Sequence, residues 1–354
     1  MKNCHQINLF YIRLIILLLV PVFSFSQTIT FSDPVKENAR NADYQVIGKM
    51  KGNILILKNY KPDYTISIYD GEMQLKDEEK LDFLPDGTFH LDLIPGIDSF
   101  YLIYQYKKKG IVHCMAAKLD GNAKLLNDPV ELDATKIDWL SDDKVYSVAY
   151  SDDKQKIMVF KILKKSDQYN FETFLFDNEL KPLHQSTLLL PFDDRINSFS
   201  DLLLDNDGNF VFVKAIRPSH DQDINRINLV IKPALADAFL IKDINLNNTY
   251  LDEVKLKVDN ANKHYIINSF FYNNRSSNID GLFCNIWDQQ GDSTLIRNFI
   301  PLSDSLREAA KTSGKAKSAF NDFFIRSVIP KKDGGYLLAA EEYIEQSNYP
   351  LLLQ

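Results

Sequence analysis

From residue 44 onward, apolar residues come in short runs, some alternating with polar positions and some apolar throughout. NILILK from Asn53, FHLDLI from Phe89, FYLIYQY from Phe100, KIMVFKI from Lys156, FVFVKAI from Phe210 and HYIINSFFY from His264 are examples. Each is rich in β-branched and aromatic residues and is closed by a cluster of Asp, Asn, Gly or Lys. Period-two alternation on that composition predicts strands, and continuous runs predict strands buried on both sides. The chain reads as all-β. Its one stretch of helical spacing is SDSLREAAKTSGKAKSAF, residues 303–320, with Ser303 or Ser305 as cap and Gly314 as breaker.

Self-comparison adds order to these runs. SIYDGEMQL, AAKLDGNAKLL, FLFDNELKPL and NIWDQQGDSTLI each end a strand at an aspartate-led turn, at Asp70, Asp120, Asp177 and Asp288. The first two gaps are about 50 to 60 residues and the third about twice that, so a missing member is expected near residues 232–233. NLVIKPALADAFLIKD, residues 228–243, supplies strand, turn and strand at that point. A second set of turns precedes these hairpins: Lys51-Gly-Asn, Pro95-Gly-Ile-Asp, Ser141-Asp-Asp-Lys, Asp205-Asn-Asp-Gly, Asp259-Asn-Ala-Asn and Lys332-Asp-Gly-Gly. Each unit therefore holds four antiparallel strands, a to d, with tight a–b and c–d turns.

Four-stranded units at this spacing resemble the blades of a β-propeller. The resemblance covers about residues 44 to 345 and is to the architecture. The chain has no Gly-His…Trp-Asp pairs and no Ser-x-Asp-x-Gly-x-x-Trp box. The register starts blades near Tyr44, Phe89, Ile137, Phe199, Val254 and Phe323, giving five complete blades and a partial sixth. On this reading the chain is a fragment, or the Thr28-Ile-Thr-Phe segment within residues 27–43 closes the ring. The propeller domain is residues 44–354.

The N-terminus adds a destination. Lys2 and Arg13 precede or flank an apolar core from Leu14 to Val20, and Ser24 and Ser26 stand before Gln27. This is the form of a signal peptide, residues 1–26, with cleavage expected after Ser26. Export to the periplasm, cell surface or medium follows, with no transmembrane segment left after cleavage. Removing Lys2 and Arg13 from the 41 basic residues leaves 39 against 48 acidic ones, a net charge of −9. Such a chain is unsuited to nucleic acid. Cys114 and Cys284 fall in the second and fifth blades, too far apart to pair, and are expected as free buried thiols.

Tests for chemistry mostly fail. An EF-hand loop with Gly208 at its sixth position would begin at Leu203 and end at Lys214, so Asp205-Asn-Asp-Gly208 reads as a hairpin turn instead. Ser313-Gly-Lys lacks the rest of a phosphate loop, and no Gly-x-Ser-x-Gly or His-Glu-x-x-His is present. His90, His113, His184, His220 and His264 show no ligand spacing, and His113 reads as a packed side chain. No cofactor or metal is expected. What stands out is the distribution of loops. The long polar connections Leu163-KKSDQYN, Arg217-PSHDQDINR, Tyr272-NNRSSN and residues 303–320 fall in the b–c and d–a classes, on one face. Candidate binding residues there are Asp193, Asp194, Arg195, Arg217, His220, Asp221, Asp223, Arg226, Tyr272, Asn274 and Arg275. Propeller glycosidases set carboxylates at inner strand ends, where Asp138 and Asp201 stand here. Three readings follow: a non-catalytic binding propeller for a protein or glycan, a glycan- or peptide-processing hydrolase or lyase, and a structural module of a larger envelope protein.

Overall fold

The computed structural model describes residues 29–33, 43–60, 63–137, 144–165, 168–220, 222–274, 278–310 and 320–342. The signal-peptide expectation, Thr28, Asp138, Asp221 and Arg275 lie outside these residues. Contacts divide the chain into two units, residues 1–84 with 120–124, and residues 85–119 with 125–354.

The first unit holds one blade: β1 (Asp43–Met50), β2 (Asn53–Tyr60), β3 (Asp63–Tyr69) and β4 (Leu75–Lys80), antiparallel in sequence order. Its first hairpin turns at Lys51 and Gly52, with φ of 49° and 85°. Two left-handed residues make the turn whose twist matches the strands it joins, and glycine takes the second position without a side-chain clash. Strand β4, LKDEEK, is exposed along most of its length, and its charges guard the outer edge against pairing. Residues 29–33 form no strand, and Ile29 and Phe31 are exposed.

In the second unit, blade 2 is β5 (Thr88–Pro95), β6 (Ser99–Lys108), β7 (Ile111–Asp120) and β8 (Val130–Lys136). Blade 3 is β9 (Ser147–Tyr150), β10 (Lys156–Lys165), β11 (Gln168–Asp177) and β12 (Pro182–Pro191). Blade 4 comprises β13 (Asn197–Phe199), β14 (Leu203–Leu204), β15 (Phe210–Ile216), β16 (Arg226–Lys232) and β17 (Leu240–Ile244). Blade 5 comprises β18 (Tyr250–Leu251), β19 (Lys255–Asp259), β20 (His264–Tyr272), β21 (Gly281–Asp288) and β22 (Ser293–Pro301). After the short helix α1 (Asp304–Ala310), blade 6 has β23 (Phe323–Pro330) and β24 (Tyr336–Glu342). Blades 4 and 5 have five named strands because their inner strand is split: β13 and β14 both pair with β15, and β18 and β19 both pair with β20. Among the described residues the fold is that of β-propeller blades, antiparallel and four-stranded, five of them complete and the sixth with two strands.

The central strands of a blade are covered on both sides, which is why they read as unbroken apolar runs. In β10, Ile157 and Val159 pack toward blade 2 while Met158 and Phe160 pack toward blade 4. In β15, Phe210 and Phe212 meet blade 3, and Val211 and Val213 meet blade 5. Cys114 lies in the core between blades 2 and 3, Cys284 is also buried, and both are free thiols, as their positions in the repeat required.

Three of the four aspartate-led turns share one geometry. One carboxylate oxygen of Asp70 accepts from the amides of Glu72 and Gln74, at 2.9 Å each. Asp120 does the same for Asn122 and Lys124, and Asp177 for Glu179 and Lys181. In these three turns the residue three after the aspartate is left-handed: Met73, Ala123 and Leu180 have φ of 57°, 59° and 62°. Asp288 departs from this, accepting from Gln290 N and Gly291 N on separate oxygens, with Asp292 left-handed. The side chain supplies acceptors the turn backbone lacks, which explains the choice of aspartate. Asp205 follows the same rule at the a–b turn of blade 4. Its Oδ1 accepts from Asp207 and Asn209 amides at 3.0 and 2.8 Å, and Gly208 is left-handed at φ 90°. Its Oδ2 accepts from Asn209 Nδ2 and from Tyr265 Oη, both at 2.8 Å. The carboxylate is spent on the turn and on blade 5, as the turn reading required.

The hairpin expected near 232–233 is the β16–β17 hairpin. Blade 3 departs from the expected register. Its a–b turn is at the second Ser-Asp-Asp-Lys of the chain, Ser151–Lys154, between β9 and β10, and Ser141–Asp143 of the first copy lie outside the described residues. The reason is the length of β10, which pairs with β11 over Lys156–Lys165 and consumes what the sequence offered as a long b–c loop from Leu163. Blade 5 likewise begins at Tyr250, ahead of Val254. In the 303–320 segment, Ser303 is the cap: its Oγ accepts from Leu306 N at 3.2 Å. Residues 311–319 lie outside the described ones.

Candidate functional site

The inner strands of blades 4 and 5 break at matching places. Blade 4 interrupts at Ser200–Leu202 between β13 and β14, and blade 5 at Asp252–Val254 between β18 and β19. Ser200 replaces part of the ladder with its own side chain, because Val213 N donates to Ser200 Oγ at 2.8 Å. The two breaks line a cleft of about 400 Å³, with Ser198, Ser200, Asp201, Arg217, Asp252 and Lys255 among its polar walls. Phe199, Ala215, Ile224 and Val254 supply apolar surface.

The b–c loop of blade 4 borders this cleft through Arg217 and Ile224 and is pinned at both ends. Arg217 N donates to Ile196 O at 2.7 Å, and Ile224 exchanges backbone hydrogen bonds with Leu251 at 3.1 and 2.8 Å. The second contact carries the loop onto the inner strand of blade 5. Arg217 Nη1 donates to Ser198 Oγ at 3.1 Å, fixing the guanidinium in the wall. Asp252 is half-buried, and burial pushes its carboxyl above the ordinary carboxylate range. The Glu253 amide and Arg217 pull it down, while the negative charges of Glu253 and Asp223 push it further up. Tyr272, at the end of β20, has its phenol raised by burial and by the charges of Asp252 and Asp223.

Of the candidates, Arg217 lines the cleft beside Asp252, while Asp223 and Tyr272 stand outside its lining and are linked to Asp252 through its charge. The other candidates go elsewhere. Arg195 binds Asp193 through Nε at 2.9 Å and Nη2 at 2.7 Å, and this pairing holds the Asp193 carboxyl down to about 2. Asp194 pairs with Lys164. His220, Arg226 and Asn274 are exposed and do not line the cleft. His113 stacks on Tyr106 with centroids 4.7 Å apart and binds Glu131 at 2.6 Å, the packed role expected of it. Among the described residues no group of three His, Cys, Asp or Glu side chains could hold a metal ion. Asp252 went unnoticed in the sequence. The signal was present: it stands one blade after Asp201, at the same strand break.

Ionised Asp252 is penalised in the folded state, and its folded pKa lies above its unfolded one, so its titration favours folding as pH falls through the raised value. Asp252→Asn is expected to raise the urea midpoint at pH 7, with the gap to wild type shrinking as pH is lowered toward 4. A lower midpoint at pH 7 would show that the carboxylate is stabilising.

No family model matches the chain, and no curated protein matches it. Among solved structures it is similar to apo prolyl oligopeptidase B from Galerina marginata, at 11% identity and a TM-score of 0.38 over 81% of this chain and 36% of that one. It is also similar to a Synechocystis ACO variant, at 8% identity and a TM-score of 0.41, over 81% and 64%. A Lactobacillus plantarum protein aligns at 12% identity and a TM-score of 0.34, over 71% and 69%. The chain therefore spans about a third of the oligopeptidase and less than two thirds of the ACO protein.

Proposed function

We propose that this chain is an exported β-propeller binding protein that takes its partner on the face of the b–c and d–a connections, at the cleft between the broken inner strands of blades 4 and 5. The cleft itself carries the reading: hydroxyl, guanidinium and carboxyl groups are mixed over a partly apolar floor, within a pinned loop. That mixture suits a glycan, whose hydroxyls both donate and accept and whose ring carbons take apolar contact. A protein segment presenting polar side chains is the other partner class compatible with it. A glycan array and a peptide array probed with the full-length chain test the reading. Arg217→Ala should weaken the captured ligand about tenfold, the loss of one charge-assisted hydrogen-bonding group. Failure to capture on either array, or equal binding by the variant, would overturn it.

The half-buried Asp252 supports a second reading, glycan hydrolysis with this carboxyl as proton donor. Chromatography of the captured glycan after incubation separates the two. Shortened products abolished in Asp252→Asn mean hydrolysis, and an unchanged glycan means binding.

A further inference from the structure

The inner strands of the second unit carry another concavity toward their a–b turns. Tyr150 and Asp152 of blade 3, the Leu202–Leu204 segment of blade 4, and Lys257 and Val258 of blade 5 line a space of about 270 Å³. Beside it, the Lys154 ammonium lies 3.9 Å from the centroid of the Tyr150 ring. We propose that this concavity binds a small organic anion, with its negative group between the Lys154 and Lys257 ammonium groups and its apolar body against Leu202–Leu204, Val148 and Val258.

The Lys257 charge opposes that of Lys154 in a chain whose acidic residues outnumber its basic ones. Both lysines are half-buried, and among the described residues neither makes an ion pair or hydrogen bond to a carboxylate, the Lys154 ammonium resting instead on the Tyr150 ring. Burial pushes the Lys154 ammonium down, the charges of Asp152 and Asp153 pull it back only in part, and Lys257 pushes it down further. The neighbouring carboxylates are occupied otherwise. Asp152 Oδ2 accepts from Asn260 Nδ2 at 2.8 Å, and Asp153 Oδ1 accepts from Ser151 Oγ at 2.6 Å and Gln155 N at 3.0 Å. Among other lysines withdrawn from solvent, half-buried Lys118 reaches Glu179, buried Lys161 reaches Asp133 and Glu172, and Lys214 and Lys232 donate to backbone carbonyls. An anion between Lys154 and Lys257 removes their repulsion and supplies the acceptor both lack. The leucines and valines of the wall favour a ligand with an apolar body over a bare inorganic ion.

Calorimetric titration of the full-length chain with phenyl phosphate, and separately with inorganic phosphate, tests this. Phenyl phosphate should bind the wild type, more tightly than inorganic phosphate and more weakly as salt is raised. Lys257→Gln and Lys154→Gln should each weaken it about tenfold, Lys257→Arg should retain it, and Lys118→Gln should leave it unchanged. Thermal melts of each variant confirm that the fold is intact. If phenyl phosphate does not bind the wild type, if both glutamine variants bind it equally well, or if inorganic phosphate binds as tightly, the proposal is wrong.

Discussion

Lys161→Ala is expected to destabilise the chain by about 3–5 kcal/mol, the cost of stranding a buried charge cluster. Lys161 stands in the middle of the apolar strand β10, its side chain 7% exposed. Its ammonium donates to Asp133 Oδ2 at 2.8 Å, to Thr135 Oγ1 at 2.8 Å and to Glu172 Oε2 at 2.9 Å. Tyr146 Oη donates to the same Asp133 oxygen at 2.7 Å. Three partners satisfy the three protons, so the lysine ties strand β8 of blade 2 to strands β10 and β11 of blade 3. Removing the cation leaves two carboxylates facing each other with burial against them. Glu172→Gln should cost less, about 1–2 kcal/mol, because Asp133 still pairs the ammonium. Burial acts to lower the Lys161 pKa, but its hydrogen bonds to Asp133 and Glu172 outweigh it and raise it above the ordinary lysine value. A folded value above the unfolded one means that this contribution is intact at pH 7 and is lost only as pH rises through the raised value. The urea midpoints of wild type and variant should therefore differ by a constant gap between pH 7 and 9. A gap below about 1 kcal/mol would place the cluster's value near that of a surface pair.

Much of this architecture was legible because a blade is a local object. The aspartate that starts a c–d turn is required by two amides within four residues of it, so Asp70, Asp120 and Asp177 mark their hairpins without help from the rest of the fold. The β16–β17 hairpin lacks that aspartate and was still found, since the spacing between blades is set by four strands and their turns. Blade 3 was misread for an equally local reason. Ser-Asp-Asp-Lys occurs at both 141–144 and 151–154, and nothing within either copy says which strand lengths will pair across it. Only the ten-residue ladder between β10 and β11 decides.

The cleft was half legible. Loop length pointed to its face and to Arg217, Asp223 and Tyr272, but where they stand relative to Asp252 depends on Ile224 pairing with Leu251 in the next blade. Contacts between blades leave no period in the sequence. The same limit hid Lys161, whose strand reads KIMVFKI and gives no sign that its partners are in β8 and β11. Asp193 and Arg195 show the converse: charged residues on the long-loop face, yet closed upon each other at 2.7 Å.

Phe171→Ala should cost about 3–5 kcal/mol, the range for emptying a fully buried aromatic site. Phe171 belongs to β11 of blade 3 and is 0% exposed. Its ring stacks on Phe212 with centroids 5.6 Å apart and meets the edges of Phe199 and Phe239 at 5.7 and 5.3 Å. All three belong to blade 4, so one ring of blade 3 is held among three rings of the next. Offset and edge-on contacts of this kind add to the burial of the rings themselves. Alanine would leave a cavity bounded by strands already fixed in their ladders, which limits how far the walls can collapse. Phe171→Leu fills most of the space and should recover more than half of the loss, missing mainly the ring-to-ring contacts. Equilibrium urea unfolding, followed by tryptophan fluorescence and by circular dichroism, measures both effects. In Phe171→Ala made together with Trp139→Phe, which leaves Trp287 as the fluorophore, the two signals should separate if the blade 3–blade 4 core is what makes unfolding cooperative, because Trp287 lies in the core between blades 4 and 5. Coincident transitions with a loss under about 1 kcal/mol would mean that the aromatic cluster merely fills space between blades held together by other contacts.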